Sequence, residues 1–118
     1  MQKKETTLVQ TYKYLIESFP YLSNKLEDIN KKRQLLPLFE AFLPHVETCL
    51  TVSPLDRAQL YLAMCDGYRN LGIPQKIIDL LKQVLVIFEE HHGANDLKVG
   101  VTLQELAIAY GQIGQYKT

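Results

Sequence analysis

The stretch Tyr68-Arg69-Asn70-Leu71-Gly72 recurs 42 residues later as Tyr110-Gly111-Gln112-Ile113-Gly114, and these two segments decide the fold. Both begin with tyrosine and end with an aliphatic residue followed by glycine. At the same distance, Tyr61, Met64 and Cys65 align with Leu103, Leu106 and Ala107. Two helices packed as a hairpin need large interlocking residues, a small residue where their backbones approach, and glycine in the turn. We therefore expect a repeated helical hairpin.

The rest of the chain indicates an all-α protein. Apolar residues recur at helical spacing, and no period-two alternation lies between turn signals. The stripe Leu8, Tyr12, Leu15 and Phe19 predicts a helix over residues 6–18. Residues 23–33 predict a short amphipathic helix or connector with Leu26 and Ile29 inward. Residues 35–50 predict a second helix in which Pro37 fits the opening turn, and Pro44 kinks or splits it, so we expect a bent helix.

Cap signals divide the C-terminal part into three helices. Ser53-Pro54 is a start signal for a helix that runs to Leu71, and Gly72 supplies the left-handed residue at its end. Pro74 opens the next helix, which Gly93 stops. Asn95-Asp96 offers a cap for a last helix that carries Val99, Leu103, Leu106, Ala107 and Tyr110 as its stripe and ends at Gly114.

Composition and charge exclude several classes of partner. The 118-residue chain is 47% hydrophobic and carries 13 Lys and Arg against 13 Asp and Glu. Balanced charge gives no global attraction to phosphate backbones or anionic membranes, so we expect no nucleic-acid and no membrane partner. No stretch approaches the roughly 18 apolar residues of a membrane span, and residues 1–5 lead into no signal-type run. We expect a cytoplasmic protein.

The hairpin motif resembles the first helix and turn of tetratricopeptide repeats, in the long-period form of kinesin light chains and many bacterial repeat proteins. The stretches that carry the resemblance are His92–Asp96, Val99, Thr102-Leu103, Leu106–Tyr110 and Ile113–Tyr116. The chain departs from the family at Leu97-Lys98, where His-Pro is frequent, and at Gly100, where alanine is usual. The likeness covers residues 56–118. Further upstream Leu26 falls where the tyrosine belongs and Asn30 where the glycine belongs.

This resemblance implies antiparallel hairpins stacked as a right-handed superhelix, a fragment of an α-solenoid. Residues 54–95 would be one hairpin, and residues 96–118 the first helix and turn of a further, truncated repeat. Residues 1–53 would be a degenerate first repeat or N-terminal capping helices. Because the chain stops where a partner helix would begin, we expect a piece of a longer protein, or a chain completed by another copy.

In the family the partner binds in a concave groove lined by the first helices of successive hairpins. The positions that flank the packing residues are Gln59, Leu62, Asp66, Arg69, Asn70, Val101, Gln104, Ile108 and Gln112. Their amides and charges could bind an extended peptide backbone, and their apolar members could form shallow pockets. Alternatively, these side chains are merely solvent-facing.

Residues that could carry chemistry have simpler interpretations. Cys49 and Cys65 lack the paired spacing of zinc or redox sites, so we expect buried free thiols. His91-His92 beside Glu89-Glu90 point about 100° apart along a helix and indicate a solvated helix end rather than a metal site. The basic triplet Lys31-Lys32-Arg33 indicates a solvated face. We expect no enzymatic activity and no cofactor, since no nucleophile elbow or phosphate loop is present.

Three functions therefore remain in competition. The first is a scaffold that binds a protein or peptide segment in the groove. The second is a structural or self-associating spacer, including a homodimer formed through the open C-terminal end. The third is a regulatory segment of a larger signalling or effector protein.

Overall fold

A computed structural model describes residues 2–48 and 52–117, with side chains over 10–48 and 52–114. These residues form five α-helices and no strand, which confirms the all-α prediction. The helices are α1 (Gln2–Ser18), α2 (Leu26–Thr48), α3 (Pro54–Leu71), α4 (Pro74–His92) and α5 (Leu97–Lys117). Within these ranges no helix has both the length and the apolar character that a membrane crossing demands.

Helix α1 packs its predicted stripe inward. Tyr12, Leu15 and Phe19, which directly follows the helix, are buried, and the side chain of Leu8 lies outside the described residues. The helix begins at Gln2 rather than Thr6 and ends at Ser18 as predicted. The Tyr12 hydroxyl donates a hydrogen bond to the Asp56 carbonyl and ties α1 to the start of α3.

Helix α2 is one continuous element. The division into a short amphipathic helix or connector over residues 23–33 and a second helix over residues 35–50 is therefore wrong, although most of residues 23–33 are helical. The helix passes through Pro37 and Pro44 without a break. Each proline deprives the carbonyl four residues earlier of its donor and therefore ordinarily weakens a helix. Both prolines lie seven residues apart on the exposed side of α2, where water can solvate the freed carbonyls.

The inward face of α2 also differs from the prediction. Leu26 is 76% exposed, whereas Lys32, expected on a solvated face, is 1% exposed. The buried residues of α2 are Lys32, Leu36, Phe39 and Val46. The ring centres of Phe39 and Phe19 lie 5.2 Å apart, and this contact joins α2 to the end of α1. Lys32 thus occupies a buried position on the inward face of α2. The spacing of apolar residues cannot predict that a charged residue lies there.

Helices α3 and α4 form the predicted antiparallel hairpin at the centre of the molecule. At the start of α3, the Ser53 hydroxyl accepts a hydrogen bond from the Asp56 amide at 3.1 Å. At its end, Gly72 adopts the left-handed conformation with φ 71°. Lys76 lies 5.0 Å from the Tyr68 ring, and the Cys65 thiol donates to the Ile77 carbonyl at 3.8 Å. The predicted caps of α3, Ser53 and Gly72, are confirmed.

Helix α5 extends beyond its predicted end. It runs to Lys117 rather than stopping at Gly114. Its start agrees with the prediction, because the Asp96 carboxylate accepts a hydrogen bond from the Lys98 amide at 2.8 Å. Gly72 adopts positive φ and is followed by Pro74, which starts a new helix, whereas no proline follows Gly114. Glycine alone permits a helix end but does not impose one.

Helix α5 packs antiparallel on α4 through a face that only partly matches the prediction. Lys82 lies over the Tyr110 ring and Lys98 over the Phe88 ring, each at 5.8 Å. The buried residues of α5 are Val99, Thr102, Leu106 and Ala109. The predicted stripe members Leu103 and Tyr110 are 50% and 49% exposed, and Ala107 is exposed as well. That part of the predicted stripe is therefore uncovered.

Candidate functional site

An open cleft of ≈ 460 Å³ lies between α3 and α5. We call it the α3–α5 cleft. Helix α3 contributes Leu55, Gln59 and Leu62, helix α5 contributes Leu97, Lys98, Val101, Thr102 and Glu105, helix α4 contributes Phe88, and the α1–α2 connection contributes Tyr21. Most of these side chains are aliphatic or aromatic, so the cleft can take an apolar group of a ligand.

Polar groups lie among the apolar lining of the cleft. Glu105 is 3.6 Å from the Arg69 guanidinium, and both side chains remain partly exposed. Lys98 lies 5.8 Å from the centre of the Phe88 ring, where the ring face attracts its charge. The Thr102 hydroxyl donates to the Lys98 carbonyl at 2.8 Å and so is satisfied within α5. Glu105 and Lys98 thus supply one acceptor and one cation.

Tyr21 carries the phenol of the cleft wall and is 48% exposed. Burial, and then the negative charges of Glu105 and Asp66, raise the pKa of Tyr21 above its ordinary value. The hydroxyl therefore stays protonated at neutral pH and can donate a hydrogen bond to a ligand.

Three predicted groove residues, Gln59, Leu62 and Val101, line this cleft. Val101 is 45% exposed and Leu62 is partly buried. Gln59 and Val101 are related by the 42-residue repeat and line the cleft from α3 and α5. The repeat therefore places equivalent positions of two helices in the lining of one cleft.

Three further predicted residues lie around a smaller cleft of ≈ 70 Å³, together with Ile77, Glu105 and Ala109. These three are Arg69, Ile108 and Gln112. Glu105 lines both clefts, so its ion pair with Arg69 lies between them. The remaining α5 residue, Gln104, is exposed and lines neither of these clefts.

Asp66 and Asn70 are occupied by contacts inside the protein. The Lys32 ammonium lies 2.7 Å from Asp66 Oδ2 and donates to Asn70 Oδ1 at 2.9 Å. The Asp66 carboxylate also accepts the Leu22 amide at 2.9 Å. Because the side chains of Lys32 and Asp66 are 1% and 5% exposed, these groups are not free to meet a ligand.

Several residues of the cleft were not predicted from the sequence. Leu55 and Leu97 are separated by the repeat distance of 42 residues, so the repeat itself could have identified this pair. Phe88 lies on the predicted apolar face of α4 but offered no sign that it borders a cleft. Tyr21 reaches the cleft only because the α1–α2 connection folds over α3, a long-range arrangement that no local pattern encodes.

The environment of Cys65 is that of a structural thiol. Burial raises the pKa of Cys65 to about 12, and its thiol donates to the Ile77 carbonyl. A nucleophilic cysteine needs the opposite environment, one that lowers the thiol pKa. Cys49 lies outside the described residues. Over the described part of the chain, no three His, Cys, Asp or Glu side chains converge as metal ligands would.

Comparison with family models, with curated proteins and with solved structures finds no match to this chain. The internal repeat and the geometry of the cleft are therefore the features that indicate a function.

Proposed function

We propose that this chain is a protein-binding scaffold of the tetratricopeptide-repeat type that holds a peptide or protein segment in the α3–α5 cleft. The observation that carries the proposal is an open apolar cleft between two helices related by the 42-residue repeat. A right-handed superhelical stack belongs to the same proposal. The buried free thiol of Cys65 is in keeping with the reducing cytoplasm that we propose as its location.

The lining of the cleft indicates what kind of segment it accepts. Its volume of ≈ 460 Å³ falls within the roughly 300–1,000 Å³ typical of ligand pockets. Leu62, Phe88 and Val101 would bury one or two apolar side chains of the segment. Gln59 and the Tyr21 hydroxyl would then pair with its backbone. An extended segment with apolar anchor residues fits this arrangement best.

A peptide-display selection on the immobilised chain tests the proposal. Selected peptides should bind the wild-type chain, and Val101→Glu should weaken them at least about tenfold because it places a charge in an apolar cleft. Leu38→Glu is the matched control, since Leu38 is similarly exposed but lies on α2. Peptides that bind both variants equally well would show that the cleft is not the binding site.

A second candidate function, self-association, is favoured by the uncovered face of α5. We define the α5 stripe as Gly100, Leu103, Ala107 and Tyr110, which are all exposed. Their equivalents on α3, 42 residues earlier, are Ala58, Tyr61, Cys65 and Tyr68, and all are buried. The same set of positions is thus covered on one helix and open on the other. A second copy that covers the α5 stripe would make the chain a self-associating spacer.

A further inference from the structure

The α1–α2 connection, residues 19–25, is held against α3 by a buried charged network. The Lys32 ammonium has three acceptors: the Asp66 carboxylate at 2.7 Å, the Ser23 carbonyl at 2.7 Å and the Asn70 amide oxygen at 2.9 Å. A lysine has three N–H donors, so each can be satisfied. Since Lys32 is 1% exposed, water does not compete for these donors.

The same network fixes the backbone of the connection at two successive residues. Asp66 Oδ2 accepts the Leu22 amide at 2.9 Å, and Lys32 binds the Ser23 carbonyl. Leu22 adopts φ 64°, and among the described residues it is the one non-glycine with positive φ. A leucine in this conformation is strained and persists only where its surroundings hold it. A turn hydrogen bond from the Ser23 amide to the Pro20 carbonyl at 3.2 Å and the Asp66 contact together supply that restraint, and only the Asp66 contact ties it to α3.

Tyr21 directly precedes the restrained residue and lies in the wall of the α3–α5 cleft. On its other side Phe19 is buried and packs against Phe39 at 5.2 Å. The Tyr21 backbone is thus held between a packed aromatic residue and the Asp66 hydrogen bond. A change that releases the Leu22 amide from Asp66 would remove the restraint on the C-terminal side of Tyr21.

From these contacts we propose that the buried Lys32–Asp66 ion pair is a positioning device, which holds Tyr21 in the wall of the α3–α5 cleft and so controls binding there. Asp66 acts through Leu22 and Tyr21 and does not touch the ligand itself. The part of the inference that concerns binding rests on the proposed function. The part that concerns Tyr21 does not, because it describes the free protein.

A single tryptophan can report the position of residue 21, because the chain contains no other tryptophan. In a Tyr21→Trp background, Asp66→Asn should raise the acrylamide quenching constant about twofold, since the connection opens locally while the helices persist. Arg69→Gln is the matched control. It removes the partly exposed 3.6 Å contact to the same carboxylate and should change quenching by less than about a fifth.

Leu22 provides a second test in case Asp66→Asn fails to fold. Leu22→Gly keeps the amide donor and suits positive φ, so the tryptophan should stay as protected as in the parent. Leu22→Pro removes the donor and fixes φ near about −65°, so quenching should rise about twofold. Unchanged quenching in both Asp66→Asn and Leu22→Pro, with helix content preserved by circular dichroism, would overturn the proposal.

A binding measurement separates this inference from the proposed function. With a peptide selected on the wild-type chain, Asp66→Asn should lower affinity at least about tenfold, and Leu22→Gly should not. If Asp66→Asn raises quenching but binds the peptide as tightly as the wild-type chain does, the Lys32–Asp66 pair does not control binding. A raised quenching constant together with failure to select any peptide supports the positioning of Tyr21 and counts against the proposed function alone.

Discussion

Lys32 shows at the residue scale how a charge can be built into a helical core. Its ammonium meets one carboxylate, one amide oxygen and one backbone carbonyl, and its nitrogen lies 5.9 Å from the centre of the Phe19 ring. Its neighbours Lys31 and Arg33 are exposed, as the sequence indicated for all three. A run of three basic residues does not show which one turns inward, because that depends on the acceptors that α3 presents.

Removal of the Lys32 charge should be severely destabilising. Lys32→Met leaves the Asp66 carboxylate buried without its cation, and we expect the free energy of unfolding to fall by about 3–5 kcal/mol. Urea denaturation followed by circular dichroism measures this. Lys31→Met is the control and should stay within about 0.5 kcal/mol of wild type, since Lys31 is exposed. Equal stability of the two variants would show that the ion pair does not hold α2 to α3.

Cys65 should be chemically inert in the folded protein. Burial raises its pKa to about 12, and access to the thiol is blocked. In a Cys49→Ser background, 5,5′-dithiobis(2-nitrobenzoate) at pH 8 should react with Cys65 at least about a hundredfold more slowly than after urea is added. Fast reaction under native conditions would mean that the α3–α4 packing opens readily.

Tyr61 predicts how stability changes at alkaline pH. Burial and a hydrogen bond to Glu47 raise its pKa to about 12, from an ordinary value of about 10. A raised pKa favours the protonated folded state, so this contribution is complete below pH 10 and is lost between about pH 10 and 12. In urea denaturation, the free energy of unfolding of Tyr61→Phe should therefore fall less than that of wild type between about pH 10 and 12. Tyr12, Tyr21, Tyr68 and Cys65, whose pKa values are also raised, contribute to the remaining slope.

At the scale of the helices, capping signals in the sequence predict where a helix begins and ends, but they do not predict how distant segments pack. Helices α3 and α4 begin and end where Ser53, Gly72 and Pro74 predict, because caps act within a few residues. Helix α2 was predicted as two segments because residues 23–33 are largely charged and Pro37 fits an opening turn. A proline inside a helix costs less where water reaches the freed carbonyl, so its effect depends on which face is exposed. Only the packed structure defines that face.

Two glycines should respond oppositely to alanine. A Cβ at Gly67 of α3 would lie 3.0 Å from the buried Leu36 side chain, so Gly67→Ala should destabilise the protein by about 1–3 kcal/mol. A Cβ at Gly100 of α5 meets nothing within 4 Å, so Gly100→Ala should stabilise it by about 0.5–1 kcal/mol. Thermal unfolding distinguishes the two. A stabilising Gly67→Ala would contradict the close α2–α3 approach.

At the scale of the whole molecule, the helices pack mainly on their neighbours in sequence. Helix α4 packs against α3 and α5, helix α2 packs against α3, and α1 packs against α2. The radius of gyration is 14.9 Å, somewhat above the roughly 13.5 Å of a compact domain of this length. Among the described side chains of α5, such packing leaves the α5 stripe exposed.

Self-association through the α5 stripe would appear as a change of mass with concentration. If the second candidate function holds, light scattering should show dimers at high concentration, and Leu103→Glu should make the chain monomeric by charging an apolar contact. Leu38→Glu, on α2, should leave the dimer intact. Monomers at every concentration would remove this candidate and leave the peptide-binding proposal untouched.

The sequence by itself determined the helical class, the α3–α4 hairpin with its caps, and the repeat that relates α3 to α5. These depend on periodicity and on capping, which act over a few residues along the chain. Only the tertiary structure decided that Lys32 and Asp66 meet in the core, that Tyr21 reaches the α3–α5 cleft, and that the α5 stripe is uncovered. The physical reason is that burial of a charge and exposure of an apolar face depend on partners distant in sequence, which no local pattern specifies.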